Sequence, residues 1–476
     1  MIFQPHRLVL LLFCSLMSMN GYAASVVKDG KAAFPDDMYC EFKPLPADEN
    51  AIIEWKKAEP SRVTLSSHEN EIITYCWKPG APRPSADDRE DLQGWLRRNQ
   101  AALDAFAASL KKPGAQWPER NPQNRQPEMS FFSQLLKGRL VEADQLAEQG
   151  RFPEATQFLE DSLKLAQLGI KGDGQTIQYA IAGNSRDLIQ GAILTLASRK
   201  RMPLDLMKRL LHDLPPLDSE TNIYHRVLQF EYMSEAQNTW DLKKVSEIYS
   251  RMSETNILMM FYPDDCQRPL RVLLDPNLVA WHPKPLDMDQ ELAIDREHYR
   301  IYWTNSFSPW SNRVDIKGEE QDAIRTNLLA EIAPMMEVVQ NDPLPLSRQA
   351  AQKIRDAYLK IQNPVGRILD CSTIAILVDD SRFFKFQAER NITRTLLALL
   401  IFEREKGVLP AKLSDLVEAK ILDAVPVDPF ATAPLSYSRE KHIVWSVGLD
   451  GDDDDGTAGE SHWTGLDAVW QIPELN

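Results

Sequence analysis

Six aspartates fall within eighteen positions near the carboxyl end: Asp450, the run Asp452, Asp453, Asp454 and Asp455, and Asp467. Folded into one loop, these carboxylates repel one another, and a hard divalent cation taking about 6 to 8 oxygen ligands turns that repulsion into cohesion. The chemistry they suggest is calcium binding. An EF-hand register does not fit them. With Asp450, Asp452 and Asp454 at its first, third and fifth positions, Asp455 stands where the turn glycine belongs and Ser461 where the bidentate glutamate belongs. The alternative is a solvated acidic loop with no specific ligand.

No catalytic constellation accompanies them. The chain has no H-E-x-x-H, no G-x-S-x-G and no S-x-x-K beside a supporting motif. His68, His212, His225, His282, His298, His442 and His462 show no ligand spacing, and Glu297-His298 reads as a helix surface pair. Asp264-Asp265 and Asp379-Asp380 have the residue types of a glycosidase pair, but among 69 acidic residues such neighbours arise by chance. An irregular stretch, 257–315, brings together Phe261, Tyr262, Trp281, Tyr299, Tyr302, Trp303, Phe307 and Trp310. Such aromatics either line a groove for sugar or peptide or pack a loop onto a helical core.

The acidic residues need elements to hold them. An amphipathic helix through Leu396, Leu397 and Leu400 is expected to end near Gly407, and Leu409-Pro410 leads to a short helix with Leu413 and Leu416. Val425-Pro426-Val427-Asp428-Pro429-Phe430 reads as a rigid extended turn. Strands over 434–438 and 442–447, joined at 439–441, and a last strand over 468–472 complete the block.

This block resembles the globular head of the major pseudopilin of type II secretion systems. The likeness rests on Gly407 with Pro410, Pro426 with Asp428-Pro429-Phe430, Tyr437, Ser446-Val447-Gly448, Asp450-Gly451, and Asp467 with Trp470, over about 85 of 476 residues. It implies a calcium site built from Asp450, some of Asp452 to Asp455, and Asp467. Four consecutive aspartates depart from that family's glycine-rich ligand loop. The whole chain is also similar to a family of exported bacterial proteins that join a helical region to the same block.

Upstream, the text is mainly helical. Leu92, Trp95, Leu96, Leu103, Phe106 and Ala107 recur at helical spacing over 87–110. Over 131–168, Ala143, Leu146, the turn at Gly150, Ala155 and Leu159 have the spacing of a tetratricopeptide-like hairpin. No regular repeat follows it. Pro203 opens a helix with Leu206, Leu210 and Leu214, and apolar positions resume over 319–362 at Ile324, Leu328, Ile332, Ile354 and Tyr358. Residues 25–85 read as a small β-containing segment, with IITYCW at 72–77 as an alternating run. The expected class is mainly α. A helical-hairpin scaffold over 86–385 lies between that segment and a small α+β domain over 386–476.

The start has one charge, Arg7, an apolar run over 8–17 and small residues at Gly21, Ala23 and Ala24. It reads as a secretory signal peptide over 1–24, cleaved near Ala23 or Ala24, which places the chain in the periplasm or outside the cell. That run is too short for a membrane span, which needs roughly 20 apolar residues, and none occurs later. A filament-forming pseudopilin start is absent, so filament subunit is not the expected role. Cleavage takes the net charge from −15 to −16, which disfavours nucleic acid and anionic lipid as partners. An oxidising compartment permits disulfides among Cys40, Cys76, Cys266 and Cys371. The similar contexts MYCEF and TYCWK suggest Cys40 with Cys76, leaving Cys266 with Cys371; four buried thiols are the alternative.

Two functions are compatible with this reading. One is a non-enzymatic envelope scaffold that binds a protein partner and carries a calcium-stabilised terminal domain. The other is an exported polysaccharide binder or hydrolase that uses 257–315.

Overall fold

The computed structural model describes residues 27–28, 31–32, 45–58, 63–76, 84–117, 127–172, 174, 176–214, 221–240, 293–306, 310, parts of 326–341, 347–361, 381–431, 433–459, 463 and 466–475. Among these the protein is mainly helical, with a small sheet at the carboxyl end.

Among its described residues, the segment expected to contain β-structure holds one hairpin of two-residue strands and two helices. Among those residues, Val27–Lys28 (β1) and Lys31–Ala32 (β2) pair as a minimal antiparallel hairpin. Ala51–Ala58 (α1) and Ser67–Cys76 (α2) follow. The run read as a strand thus lies mostly within α2, for a local reason. The Ser66 hydroxyl accepts from the Glu69 N–H at 3.1 Å, and the Glu69 carboxylate accepts from the Ser66 N–H at 2.6 Å. This reciprocal cap starts a helix, and Ile73 is buried on its inner side.

Ala86–Ala108 (α3) buries the expected Leu92, Trp95, Leu96, Leu103 and Phe106 and opens on a second capping box, Ser85 with Asp88. Pro127–Glu148 (α4) and Phe152–Lys171 (α5) form the expected hairpin. Arg151 donates to the Leu146 carbonyl at 2.9 Å and Gly150 to Ala147 at 3.0 Å, closing the end of α4. Thr176–Ala197 (α6) packs on α4 and α5, and Leu204–Asp213 (α7) on α5. Trp55, Phe106, Trp117 and Phe132 meet edge-on or tilted at 4.6–6.1 Å between centroids, knitting α1, α3 and α4 together. Thr221–Trp240 (α8) packs against Ala293–Ser306 (α9), and Arg348–Tyr358 (α10) buries Ile354 and Tyr358.

Ser381–Lys406 (α11) ties the two halves together, and the expected boundary at 386 falls inside it. It is not amphipathic: every residue from Leu396 to Ile401 is buried. Two partners enclose it, α6 and α7 on the array side and the strands described next on the other. A side chain at Gly183 of α6 would overlap the Phe386 ring, so this close approach requires glycine. Arg394 donates to the Leu211 and Leu214 carbonyls, and Arg404 to those of Arg199 and Met202. Two arginines thereby bond carbonyls at the end of α7 and in the turn between α6 and α7.

After the short helix Ser414–Glu418 (α12), Val427–Asp428 (β3) pairs with Ala433–Pro434 (β4). Ser436–Ser438 (β5), Ile443–Ser446 (β6) and Ala468–Gln471 (β7) form an antiparallel sheet in that order, with Ser446 opposite Ala468. The acidic loop is the connection between β6 and β7.

Candidate functional site

Asp428, Tyr437 and Gly448 do structural work around this loop. Asp428 is 2% exposed, and its carboxylate accepts from Phe430 N–H at 3.0 Å, Ser446 hydroxyl at 2.8 Å and Val447 N–H at 2.8 Å. Burial pushes its pKa up, against the pull of those three donors. It pins β3 to the end of β6. Tyr437 donates to the Pro410 carbonyl at 2.9 Å, and burial raises its phenol to about 12. Gly448 has φ +75°, and a side chain there would come within 3.0 Å of the Leu466 carbonyl, so glycine permits the two ends of the loop to meet.

Within the loop the six aspartates divide. Asp450 is exposed and accepts from Asp452 N–H at 3.3 Å. Asp453 accepts from Trp445 Nε1 and Asp455 N–H, each at 3.0 Å. Asp455, at φ +54°, pairs with Lys441 at 2.9 Å. The half-buried Asp454 offers its carbonyl to Thr457. Asp467 alone is inside, 1% exposed. One of its oxygens accepts from Gly456 N–H at 2.8 Å, and the other, Oδ1, has no hydrogen-bond partner. Burial first, and then the charges of Asp453 and Asp454, push its pKa up, while the N–H groups of Gly456 and Asp454 oppose them.

Among the described residues no three His, Cys, Asp or Glu side chains are gathered to hold an ion as they stand. The donor set fits a hard cation in kind: a buried carboxylate with an unused oxygen, two neighbouring carboxylates and loop carbonyls. It differs from a finished site because Asp453 faces Trp445 and Asp455 faces Lys441. Asp453 and Asp454 are the carboxylates whose charges act on Asp467; Asp450, Asp452, Asp453 and Asp455 are all exposed at the loop surface.

Indole contacts around the loop escaped the sequence reading. Trp310 Nε1 donates to the Leu449 carbonyl at 2.9 Å, and Trp463 Nε1 to Glu389 of α11 at 3.1 Å. With Trp445, three indoles hold the loop at its start, middle and end. Tryptophan beside an acidic run was the visible signal for Trp445 and Trp463; nothing in the spacing pointed to Trp310, 139 positions from its acceptor.

The other candidates are dispersed. Tyr299 and Trp303 are buried, against Tyr232 at 5.1 Å and His225 at 4.8 Å. Trp310 lies edge-on to Phe384 and Phe430. These three pack inward; Phe261, Tyr262, Trp281 and Phe307 lie outside the described residues, as do both Asp-Asp pairs. His225 is buried and held neutral, its pKa lowered to about 3 by desolvation. His68 faces Asp88 at 3.2 Å on the surface, and Glu297 pairs with Arg300. Residues 1–24, read as a signal peptide, and the side chains of Cys40, Cys76, Cys266 and Cys371 lie outside the described residues. No described helix is long and apolar enough to cross a membrane. Comparison of the chain with protein-family models, with curated proteins and with solved structures finds no match.

Proposed function

We propose that this protein is an exported, non-enzymatic scaffold of the cell envelope whose helical hairpins bind a protein partner and whose C-terminal domain is stabilised by calcium. One observation carries the calcium reading: the Asp467 carboxylate is buried with an oxygen unused, beside Asp453 and Asp454. An uncompensated buried carboxylate is costly, and a bound cation removes that cost. Supporting the scaffold reading are the consecutive packed hairpins α3 to α6, whose architecture commonly presents surfaces to peptides or proteins, and the acidic composition. Export is inferred from the leader-like start. The polysaccharide reading gains no support from Tyr299 and Trp303, which are buried.

The test is thermal unfolding of the mature protein with millimolar calcium chloride and then with chelator. Calcium is expected to raise the midpoint and chelator to reverse it, through binding linkage; no shift would overturn the calcium reading. Crosslinking in intact cells is expected to capture a defined protein partner. Recovery of the chain alone, or of glycan instead, would overturn the scaffold reading.

A further inference from the structure

The acidic loop is joined to the rest of the molecule by indoles at both ends. At its start, Trp310 donates to the carbonyl of Leu449, the residue before Asp450, and its ring lies 5.2 Å from Phe384 of α11 and 4.8 Å from Phe430, both edge-on. At its end, Trp463 donates to Glu389 of α11 and packs on Phe430 at 5.5 Å and Trp470 at 5.6 Å. Phe430 therefore touches both indoles, and α11 receives both ends of the loop within about two helical turns, at Phe384 and Glu389. The same stretch of α11 presses Phe386 onto Gly183 and Tyr179 of α6. A continuous packed path runs from the loop to the helical array.

We propose that the acidic loop is a calcium-operated clasp on the helical array, with Trp310 as the contact that transmits loop occupancy to α11. The proposal rests on the calcium reading above. Without a cation, Asp452 to Asp455 repel one another, and only the backbone N–H groups of Gly456 and Asp454, not the carboxylates of Asp453 and Asp454, are drawn toward Asp467. With one bound, those carboxylates converge on the unused Asp467 oxygen, the loop tightens, and the Leu449 carbonyl is fixed as acceptor for Trp310. Trp310 then holds Phe384, and through α11 the array is stiffened. The ligand is a divalent cation with oxygen preference, and the output is the rigidity of the α6–α11 contact, not a new chemical step.

The experiment measures amide hydrogen exchange across 381–390 with and without calcium chloride, and calcium affinity by calorimetry, in the full mature chain. In the unsubstituted protein, calcium is expected to slow exchange over 381–390 severalfold. Trp310→Phe keeps the ring and removes the donor; it is expected to bind calcium with little change in affinity and to lose that slowing. Asp467→Asn is expected to lose both, which keeps the test decisive if Trp310→Phe folds poorly. Calcium binding without slowed exchange, or slowing retained in Trp310→Phe, overturns the clasp and leaves the calcium reading standing. No calcium binding by the unsubstituted protein overturns both.

Discussion

In the helical array, several buried polar groups find partners within the array, and others, such as the Thr156 hydroxyl and Glu160 Oε1, have no hydrogen-bond partner. Asn50 makes three hydrogen bonds, one to the Gln116 carbonyl and one each from Ile52 and Gln116 N–H. Arg139 lies 3.7 Å over the Phe158 ring with Glu142 at 3.2 Å, and the buried Glu160 pairs with Arg209 through one oxygen while its Oε1 has no hydrogen-bond partner. The C-terminal block treats two buried aspartates differently. Asp428 is closed by three donors, whereas Asp467 has the Gly456 and Asp454 N–H groups beside it, an oxygen with no hydrogen-bond partner and two acidic neighbours. The difference separates a carboxylate that holds a fold together from one still short of a partner.

The largest expected effect tests the closed site. Asp428→Ala leaves the Phe430 and Val447 N–H groups and the Ser446 hydroxyl without their acceptor, at a cost of about 3–5 kcal/mol. Denaturant unfolding should show this loss, and calcium should not restore it. If calcium did restore it, Asp428 would belong to the ion site and the contrast would break.

The open site responds next. At a hundredfold excess over Kd, calcium is expected to add about 2.7 kcal/mol. Asp467→Asn should abolish that gain while leaving the calcium-free protein as stable or more so, because a neutral amide avoids the desolvation cost of the carboxylate. A calcium-free Asp467→Asn protein much weaker than the unsubstituted one would place Asp467 with Asp428, as a structural carboxylate.

A smaller effect probes the array with acid. His225 is held neutral in the folded protein, with a pKa lowered to about 3, while in the unfolded chain it titrates at its ordinary value near 6.5. A depressed folded pKa means that its contribution is fully present above the unfolded value and is lost as pH falls below it toward 3. The loss should be roughly 2 kcal/mol between pH 6.5 and 4.5. His225→Phe, still able to pack on Trp303, should flatten that part of the stability–pH curve. An unchanged slope would mean that the array's acid sensitivity comes from carboxylates instead.

Much of this arrangement was legible in residue order, because it depends on local periodicity. The face of α3 through Leu92, Trp95 and Phe106, the turn at Gly150 and the three terminal strands all follow from spacing within one element. The enclosure of α11 was not legible: a helix reads as amphipathic until both of its partners are known, and α6, some 200 residues upstream, supplies the second. Nor did composition distinguish Asp467 from the run before it. All six aspartates carry the same charge, and only the fold of β7 buries one of them. Trp310 belonged to an aromatic stretch whose packing and binding readings have the same composition; its bond to Leu449 is purely tertiary.

The smallest effect asks how far local signals alone carry the array. Ser66 and Ser85 form equivalent capping boxes, one at the helix read as a strand and one at a helix read correctly. Replacing a capping serine by alanine costs about 1 kcal/mol. Ser85→Ala should lower global stability by that amount and leave α3 intact, because seven buried residues hold it. In α2, with ten residues and little buried surface among those described, the cap is a larger share of what favours helix over the extended form suggested by its Ile-Ile-Thr-Tyr run. Ser66→Ala is therefore expected to accelerate amide exchange over 67–76 more than Ser85→Ala does over 86–95, at similar global cost. Equal local responses would show that tertiary packing of Ile73, and not the cap, decides against the strand.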